Sequence, residues 1–414
     1  MRKAQYGAVV FTIVTSLFGG TSAVQADTFE DYIERLGQHP QVLGVLAETE
    51  ALKHQAKGEL GLPDPTLFIG VDNVPISDTA FDRFLPSSKV IGFTQKIPNP
   101  AIRKAKSARF TQMSAKSRLM AEYTNARLRF MLIAKLAEYK SVKTQIDLLH
   151  QQLGYYQELE NTFKGQIESG RSVYQRFSEV DVERAEAERR LNDLQAQLVS
   201  IEAEFVRLVE EVPAIEVPIV PVLSWHQDPL ALYPIAIAAE DINIAEKGVD
   251  IANADFLPNF GLSATYKQRE ASAVGAFTGD DWFSVQLQMS IPLWAHSSQY
   301  PRLKAAKERK RSASLNFEDM RRAWLREMIS IQSNRDAAAK NVEVLKSKGA
   351  AMEEKIEATQ RNYEAGTENL DAVLLAKIDH LNILAQLAVL QETLVRRSAE
   401  FNSNLMDSYE EVSE

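Results

Sequence analysis

Apolar residues recur at alternating steps of three and four through several long segments of the chain. In the first half these positions are Tyr139, Val142, Ile146, Leu149, Leu153, Tyr156, Ala187, Leu191, Leu194, Leu198, Ile201, Phe205 and Leu208. In the second half they are Val342, Leu345, Gly349, Met352, Ile356, Thr359, Tyr363, Ile383, Leu387, Leu390 and Leu394. Heptad spacing of this kind predicts helices with one apolar seam that a partner helix must cover. No proline interrupts residues 101–164 or 302–365, so each segment predicts a helix of about 95 Å at 1.5 Å per residue.

A period of two marks four short segments as β-strands. The clearest is 282–292, where five apolar residues alternate with serine and glutamine, and weaker alternation predicts strands at 66–73, 89–97 and 260–268. In a soluble protein the apolar face would pack on a core, whereas in a membrane barrel it would face lipid. The long polar loops after the first and third strands are typical of the outer face of such a barrel.

Trp282 and Trp294 bracket the clearest strand. An aromatic girdle would place two such side chains at the two membrane interfaces, and burial in a protein core is the alternative. Four strands cannot close a membrane barrel, because barrels begin at about eight strands and an open edge in lipid leaves backbone groups unpaired. Closure therefore requires two copies of the chain, giving eight strands, or three copies, giving twelve. The strand count does not choose between them.

The two halves of the chain align with each other. Leu62-Pro63-Asp64 corresponds to Leu257-Pro258-Asn259 at an offset of 195 residues, and Gly170 corresponds to Gly366 at an offset of 196. Steady offsets predict a duplicated unit of helix, two strands and a hairpin of two long helices. The predicted boundaries are 1–26 for a signal peptide, 27–211 for the first repeat with its helical hairpin at 101–211, 212–227 for a proline-rich connector, 228–409 for the second repeat with its hairpin at 298–409, and 410–414 for a tail.

The signal peptide is predicted from Arg2 and Lys3, the apolar run 8–18 and the small residues that end at Ala26. A membrane anchor would need about 18 to 20 apolar residues. We expect no transmembrane helix after residue 27. The mature chain is therefore expected to be exported, with any membrane span made by strands.

Charge and cysteine content narrow the function. The chain has 47 Lys and Arg against 56 Asp and Glu, a net charge of −9. This balance disfavours nucleic acid or anionic lipid as the main partner and favours tolerance of cations along any internal surface. The absence of cysteine excludes disulfides, thiolate metal sites and a lipid on an N-terminal cysteine.

The export signal, the duplicated strand and long-helix unit, and the step from Gln95 through Pro98 into a helix together resemble the TolC family of outer-membrane efflux proteins. The resemblance covers nearly the whole mature chain. It implies a mainly α fold with membrane β, a homotrimer with a shared 12-stranded outer-membrane barrel, and an α-helical barrel in the periplasm. It also implies a periplasmic adaptor protein and an inner-membrane pump of the resistance-nodulation type as partners.

The same resemblance implies that the two glycine turns are periplasmic hairpin tips that dock the adaptor and close the pore. The candidate tip, gate and adaptor-contact residues are Gly170, Arg171, Ser172, Gly366, Thr367, Glu368 and Asp371. Family tips often carry two acidic residues a turn apart, whereas here Asp371 comes one position early and Leu374 and Leu375 stand where the second acid is expected. We expect Glu368 and Asp371 to face the tunnel, with ordinary acids of a first helical turn as the alternative.

The six histidines are scattered, so we expect no metal site, no catalytic residues and no cofactor in the chain. Pro63-Asp64-Pro65 followed by Asn73-Val74-Pro75 is similar to channels paired with heavy-metal exporters. The predicted function is a passive exit duct for small toxic compounds or metal ions in the Gram-negative outer membrane.

Three other functions were weighed. A type I protein secretion channel would have the same architecture. A periplasmic coiled-coil adaptor or scaffold explains the heptads but not the amphipathic strands. An enzyme is disfavoured, because no Gly-x-Ser-x-Gly, Walker loop or His-Glu-x-x-His occurs and Asp379-His380 lies on a long helix without a nucleophile.

Overall fold

The computed structural model describes residues 27–82, 84, 86–272 and 278–406. The predicted signal peptide at 1–26 and tail at 410–414 lie outside these residues. Seven α-helices and four β-strands occur within the described part of the chain. The helices are α1 (Phe29–Gly37), α2 (Pro40–Gly58), α3 (Pro100–Glu168), α4 (Tyr174–Val209), α5 (Tyr233–Ala254), α6 (Gln299–Glu364) and α7 (Leu370–Ser403). The strands are β1 (Thr66–Asp72), β2 (Ser88–Ile97), β3 (Phe260–Gln268) and β4 (Trp282–Met289).

The helices form one layer of four parallel columns. Two columns are the long helices α3 and α6, of 69 and 66 residues. The other two are built from shorter helices in succession, α4 with α2 and α7 with α5. Helix α3 contacts α2 and α4 as well as α5 and α7, and α6 contacts α5 and α7. The order across the layer is therefore α2/α4, α3, α5/α7 and α6, which leaves one open edge at α2/α4 and another at α6.

Each long helix begins directly below the sheet. Asn99 caps α3, because its Oδ1 accepts a hydrogen bond from the Ile102 amide at 2.7 Å and Pro100 supplies a first residue that needs no hydrogen-bond partner. The Asn99 amide side chain donates to the Ala254 carbonyl at 3.2 Å, and its backbone N–H donates to Asn259 at 2.9 Å. This buried asparagine therefore joins the start of α3 to the end of α5.

The heptad seams are the core of the layer. One cluster of buried residues contains Leu132, Leu136 and Val142 of α3 with Ile201 and Phe205 of α4. A second cluster lies nearer the far end of the hairpin and contains Leu149, Tyr156, Leu159, Phe163, Val180, Ala187, Leu374 and Ile378. Since α7 contributes to the second cluster, the two predicted hairpins pack on each other there. A mainly helical fold with a small antiparallel sheet is confirmed.

The four strands form one antiparallel sheet in the order β1-β2-β3-β4. Its register aligns Leu67 with Phe93, Ile91 with Tyr266, and Leu262 with Leu287, so one face is apolar on every strand. The apolar side chains of this face are Leu67, Ile69, Val71, Ile91, Phe93, Leu262, Tyr266, Phe283, Val285, Leu287 and Met289. They are between 38% and 76% exposed. No helix in the described part of the chain covers this face.

The connector 212–227, here called the strap, crosses one face of the helical layer. The Asn402 side chain donates to the Pro221 carbonyl at 2.8 Å, and Arg335 Nη1 donates to the Leu223 carbonyl at 3.3 Å. Trp225 of the strap packs with Ile235 of α5 and residues of α6 and α7. The strap therefore ties α5, α6 and α7 together at mid-height.

We expected no transmembrane helix after residue 27, but by length and composition α7 is a candidate for one. A window of this helix has a mean hydropathy of 1.6 and is long and apolar enough, by length and composition, to cross a membrane. The position of α7 in the helical layer explains its high mean hydropathy. It lies between α3 and α6 and must therefore be apolar on two sides. Core helices of this kind satisfy the same test of composition.

Candidate functional site: the two hairpin tips

The turn between α3 and α4 is a Schellman motif centred on Gly170. The Gly170 amide donates to the Ile167 carbonyl at 2.9 Å and the Arg171 amide donates to the Gln166 carbonyl at 2.9 Å. Gly170 has a φ of +84°, which a residue with a Cβ adopts only at a cost. The turn therefore ends a 69-residue helix and exposes Gly170, Arg171 and Ser172 to solvent.

The turn between α6 and α7 repeats this geometry 196 residues later. The Gly366 amide donates to the Tyr363 carbonyl at 2.9 Å and the Thr367 amide donates to the Asn362 carbonyl at 2.9 Å, with Gly366 at a φ of +74°. Glu368 is exposed and its Oε1 accepts a bond from the Asn369 amide at 3.3 Å. The two tips therefore share one hydrogen-bond pattern.

Asp371, which we expected from the sequence to face the tunnel, is buried within the protomer. It is 3% exposed in the first turn of α7, and Arg176 of α4 donates to its Oδ2 at 2.7 Å. The Arg176 guanidinium lies 6.0 Å from the centre of the Phe163 ring. The carboxylate is therefore an ionic link between the two hairpins, here called the tip link, and Glu368 alone of the two expected acids is exposed.

Further polar contacts connect the helices behind the tips. Lys377 of α7 lies 5.4 Å from the ring centre of Tyr155 on α3. Nε2 of His380 is 3.6 Å from a carboxylate oxygen of Glu353 on α6, so the histidine lies between α6 and α7. Burial raises the pKa of the Tyr156 hydroxyl in α3, which keeps that phenol neutral beside the apolar seam.

The two tryptophans occupy different environments. Trp282 faces Lys267 across the β3-β4 pair, on the polar face of the sheet, and the Arg269 guanidinium lies 4.4 Å from its ring. Trp294 lies beyond the end of β4 and is 78% exposed. A girdle side chain points outward into the interface, so this placement favours Trp294 over Trp282 for that role.

Sequence reasoning missed Arg176, because its partner lies 195 residues away and no local pattern marks the pair. It also paired the two tryptophans, although the alternation itself placed Trp282 with the serines and glutamines of the strand. Within the described residues, no cluster of histidine, aspartate and glutamate has the arrangement of a metal site.

One part of the chain matches a known protein family. Residues 234–402 match the family model of the outer membrane efflux protein. No curated protein matches this sequence significantly.

Solved structures share the fold over most of the chain. The outer membrane protein VceC from Vibrio cholerae aligns at 16% identity over 90% of this chain and 96% of its own, with a TM-score of 0.67. The MtrE outer membrane channel of Neisseria gonorrhoeae, in its open state, aligns at 15% identity over 91% of this chain and 88% of its own, with a TM-score of 0.74. CusC aligns at 12% identity over 92% of this chain and 95% of its own, with a TM-score of 0.72.

These outer-membrane proteins therefore have the fold described above, with the long helices and the small sheet in one chain. The efflux-protein match covers α5, β3, β4, α6 and most of α7, which lie within the second predicted repeat. Residues 234–402 therefore match the outer membrane efflux protein family, and the chain shares the fold of VceC, MtrE and CusC.

Proposed function

We propose that three copies of this chain form the exit duct of a tripartite efflux pump. The observation that carries this proposal is that both layers of the protomer are open at both edges. The sheet ends in the unpaired strands β1 and β4, and the helical layer ends in α2/α4 and α6. A layer with two free edges closes when each copy offers one edge to the next.

The sheet edges favour closure into a barrel. In the order β1-β2-β3-β4 with all neighbours antiparallel, β1 and β4 run in opposite directions, so β4 of one copy pairs with β1 of the next without breaking the pattern. Three copies give a 12-stranded barrel with the apolar face toward lipid and the polar face toward the lumen. Two copies would give eight strands, and the family resemblance favours three.

The helical edges also carry uncovered apolar side chains. On the α2/α4 edge, Val182, Val199 and Val206 are 67%, 65% and 53% exposed. On α6, Ile329 and Val344 are 55% and 63% exposed. Contact between these two edges in neighbouring copies would bury apolar surface on both, at a gain of about 25 cal/mol per Å². The same contact closes the helical barrel.

The tips are proposed to carry the gate and to contact a periplasmic adaptor. In the closed state the tip link between Arg176 and Asp371 holds the α7 hairpin against the α3-α4 hairpin. Opening would move the hairpins apart and break the link, and adaptor contacts at the exposed Gly170 and Gly366 turns would favour the open state by binding it more tightly. An inner-membrane pump would supply the energy, since a passive duct supplies only a path.

The cargo is proposed to be small toxic compounds or metal ions. Trp294 is proposed to lie at the membrane interface. Secretion of a polypeptide is the second candidate function, and the width of the open tips would decide between the two.

The first experiment is the mass of the protein extracted from outer membranes in mild detergent, with the detergent contribution subtracted. We expect the mass of three processed chains. A periplasmic monomer or dimer that needs no detergent would overturn the channel and favour a coiled-coil scaffold. A variant with cysteines at positions 176 and 371 then tests the gate. Joining the two thiols with a short bifunctional reagent should stop export, whereas the same variant without the reagent should still export.

A further inference from the structure

A groove between α3, α5 and α6 lies just below the sheet and has no role in the function proposed so far. Its volume is about 540 Å³, and its floor is the apolar face of α5 around Ala245, Gly248 and Ile251. Three arginines line it, Arg109 from α3 and Arg302 and Arg309 from α6. The groove therefore combines an apolar floor with guanidinium groups from two helices.

The carboxylates of the groove are already paired. Asp255 accepts from Arg302 at 2.9 Å, and Asp241 accepts from Lys116 at 2.6 Å. Arg109 and Arg309 are exposed and form no ion pair within the described part of the chain. The groove is thus locally cationic in a chain of net charge −9.

The groove and the strap lie on opposite faces of the helical layer. At 100° per residue, the groove-lining residues Ile244, Ala245, Gly248 and Ile251 lie on one side of α5, and Glu246 lies about half a turn away from their mean direction. Glu246 pairs with Lys310 at 3.2 Å on that other side. Ile235, which packs under Trp225 of the strap, has nearly the same direction as Glu246. Because a strap across the bore would obstruct the duct, the strap belongs on the outside and the groove faces the bore.

We propose that this groove is a binding site in the wall of the duct for amphipathic organic anions. An aromatic or aliphatic body would lie on the apolar floor of α5, and a sulfonate, carboxylate or phosphate would be held by Arg109 and Arg309 through charge-assisted hydrogen bonds. Three copies would place a ring of such sites directly below the barrel. The inference rests on the proposed channel and names a class of cargo for it.

This site reverses a conclusion drawn from overall charge. The acidic composition favoured cations along the internal surface, but ligands respond to the charges within about a Debye length, roughly 10 Å at 0.1 M salt. Within the groove the unpaired charges are guanidinium groups. Organic anions are therefore expected to dwell in the upper duct, whereas organic cations of the same shape are not.

The test is block of the purified channel in planar bilayers. Naphthalenesulfonate is the anionic probe, and naphthyltrimethylammonium is a cationic probe with the same aromatic body. We expect naphthalenesulfonate to reduce the single-channel current at lower concentration than the cation does. The block should weaken when KCl rises from about 0.1 M to about 1 M, because salt screens the interaction.

The critical variant is Arg109→Gln/Arg309→Gln, and Lys310→Gln/Arg311→Gln is its control, since it removes two neighbouring charges from α6 outside the groove. We expect the groove variant to weaken the sulfonate block about tenfold and the control to leave it unchanged. Equal block of the wild type and the groove variant, or equal block by the two probes, would overturn the site while leaving the channel intact. A trimer that conducts no current even when Arg176→Ala has broken the tip link would instead overturn the proposed function.

Discussion

Breaking the tip link tests whether it holds the duct closed. The two changes are Arg176→Ala, which removes the donor, and Asp371→Asn, which removes the charge but keeps the shape. The Asp371 side chain is 5% exposed and that of Arg176 is 56% exposed, so the pair lies between a surface ion pair and a buried one. Surface pairs contribute about 0.2 to 1 kcal/mol, and breaking a buried pair costs about 3 to 5 kcal/mol.

Because solvent screens the exposed Arg176, we take the free energy of each tip link to be close to that of a surface ion pair, about 1 kcal/mol. A trimer that opens in one step would break three links, or about 3 kcal/mol, which corresponds to a shift of about two orders of magnitude between closed and open populations. We expect single-channel recordings in planar bilayers to show long closed periods in the wild type and mostly open channels in either variant.

The control is Arg189→Ala. Arg189 is a similarly exposed arginine on α4 whose carboxylate partners, Glu186 and Asp193, belong to its own helix. We expect it to leave the closed periods unchanged. The double variant should behave like either single variant, because both remove the same interaction. If Asp371→Asn opened the channel but Arg176→Ala did not, the cause would be a change in the first turn of α7 and not loss of the ion pair. If neither variant opened the channel, the tip link would not be part of the gate.

Three further predictions concern stability. Gly366→Ala should destabilise the α6-α7 tip by about 1 kcal/mol because of its positive φ. The control Gly165→Ala lies inside α3 with open space around a Cβ and should be neutral or slightly stabilising. Thermal unfolding compares the two variants, and equal melting temperatures would contradict backbone strain at Gly366. Gly92→Ala should lower the melting temperature of the sheet, since its Cβ would meet a phenylalanine ring of β1 at 2.1 Å, and Gly70→Ala on the same face meets nothing within 4 Å. An equal effect of these two changes would refute the contact. Hydrogen bonds from an arginine and a tyrosine of α1 hold the pKa of Glu211 below its usual value, so its contribution to stability is present above the ordinary glutamate pKa of about 4.3 and is lost as the pH falls through the folded value. The difference in melting temperature between wild type and Glu211→Gln should therefore be present at neutral pH and vanish in acid, and a difference that persisted in acid would contradict the ionic origin.

Much of the architecture could be predicted from local patterns. The heptads at Val142 and Phe205 gave paired helices because burial of an apolar seam is a property of spacing alone. The alternation in β4 gave a two-sided strand for the same reason. The glycines at 170 and 366 marked the turns, because only glycine adopts a positive φ without cost.

The environment of particular charges could not be read in this way. Asp371 has the sequence context of any acid in a first helical turn, and its burial depends on Arg176 arriving from the other repeat. The cationic groove has the same origin, since Arg109 and Arg309 are 200 residues apart in the chain and line one groove only because α3 and α6 both start at the sheet. The net charge of −9 averages over the whole chain and favours cations, whereas the local charge of the groove is positive.

The columns of the helical layer differ in how they are divided along their length. Helices α3 and α6 run unbroken from the sheet to the tips, whereas the column of α7 and α5 is interrupted, with Leu405 bridged to Leu232 between the two helices. A rigid rod transmits displacement to its far end, but a jointed one does not. The segment α7 can therefore rotate about the junction with α5 as a hinge while α5 stays in place. The membrane sheet above would keep its register while the tip opens and closes.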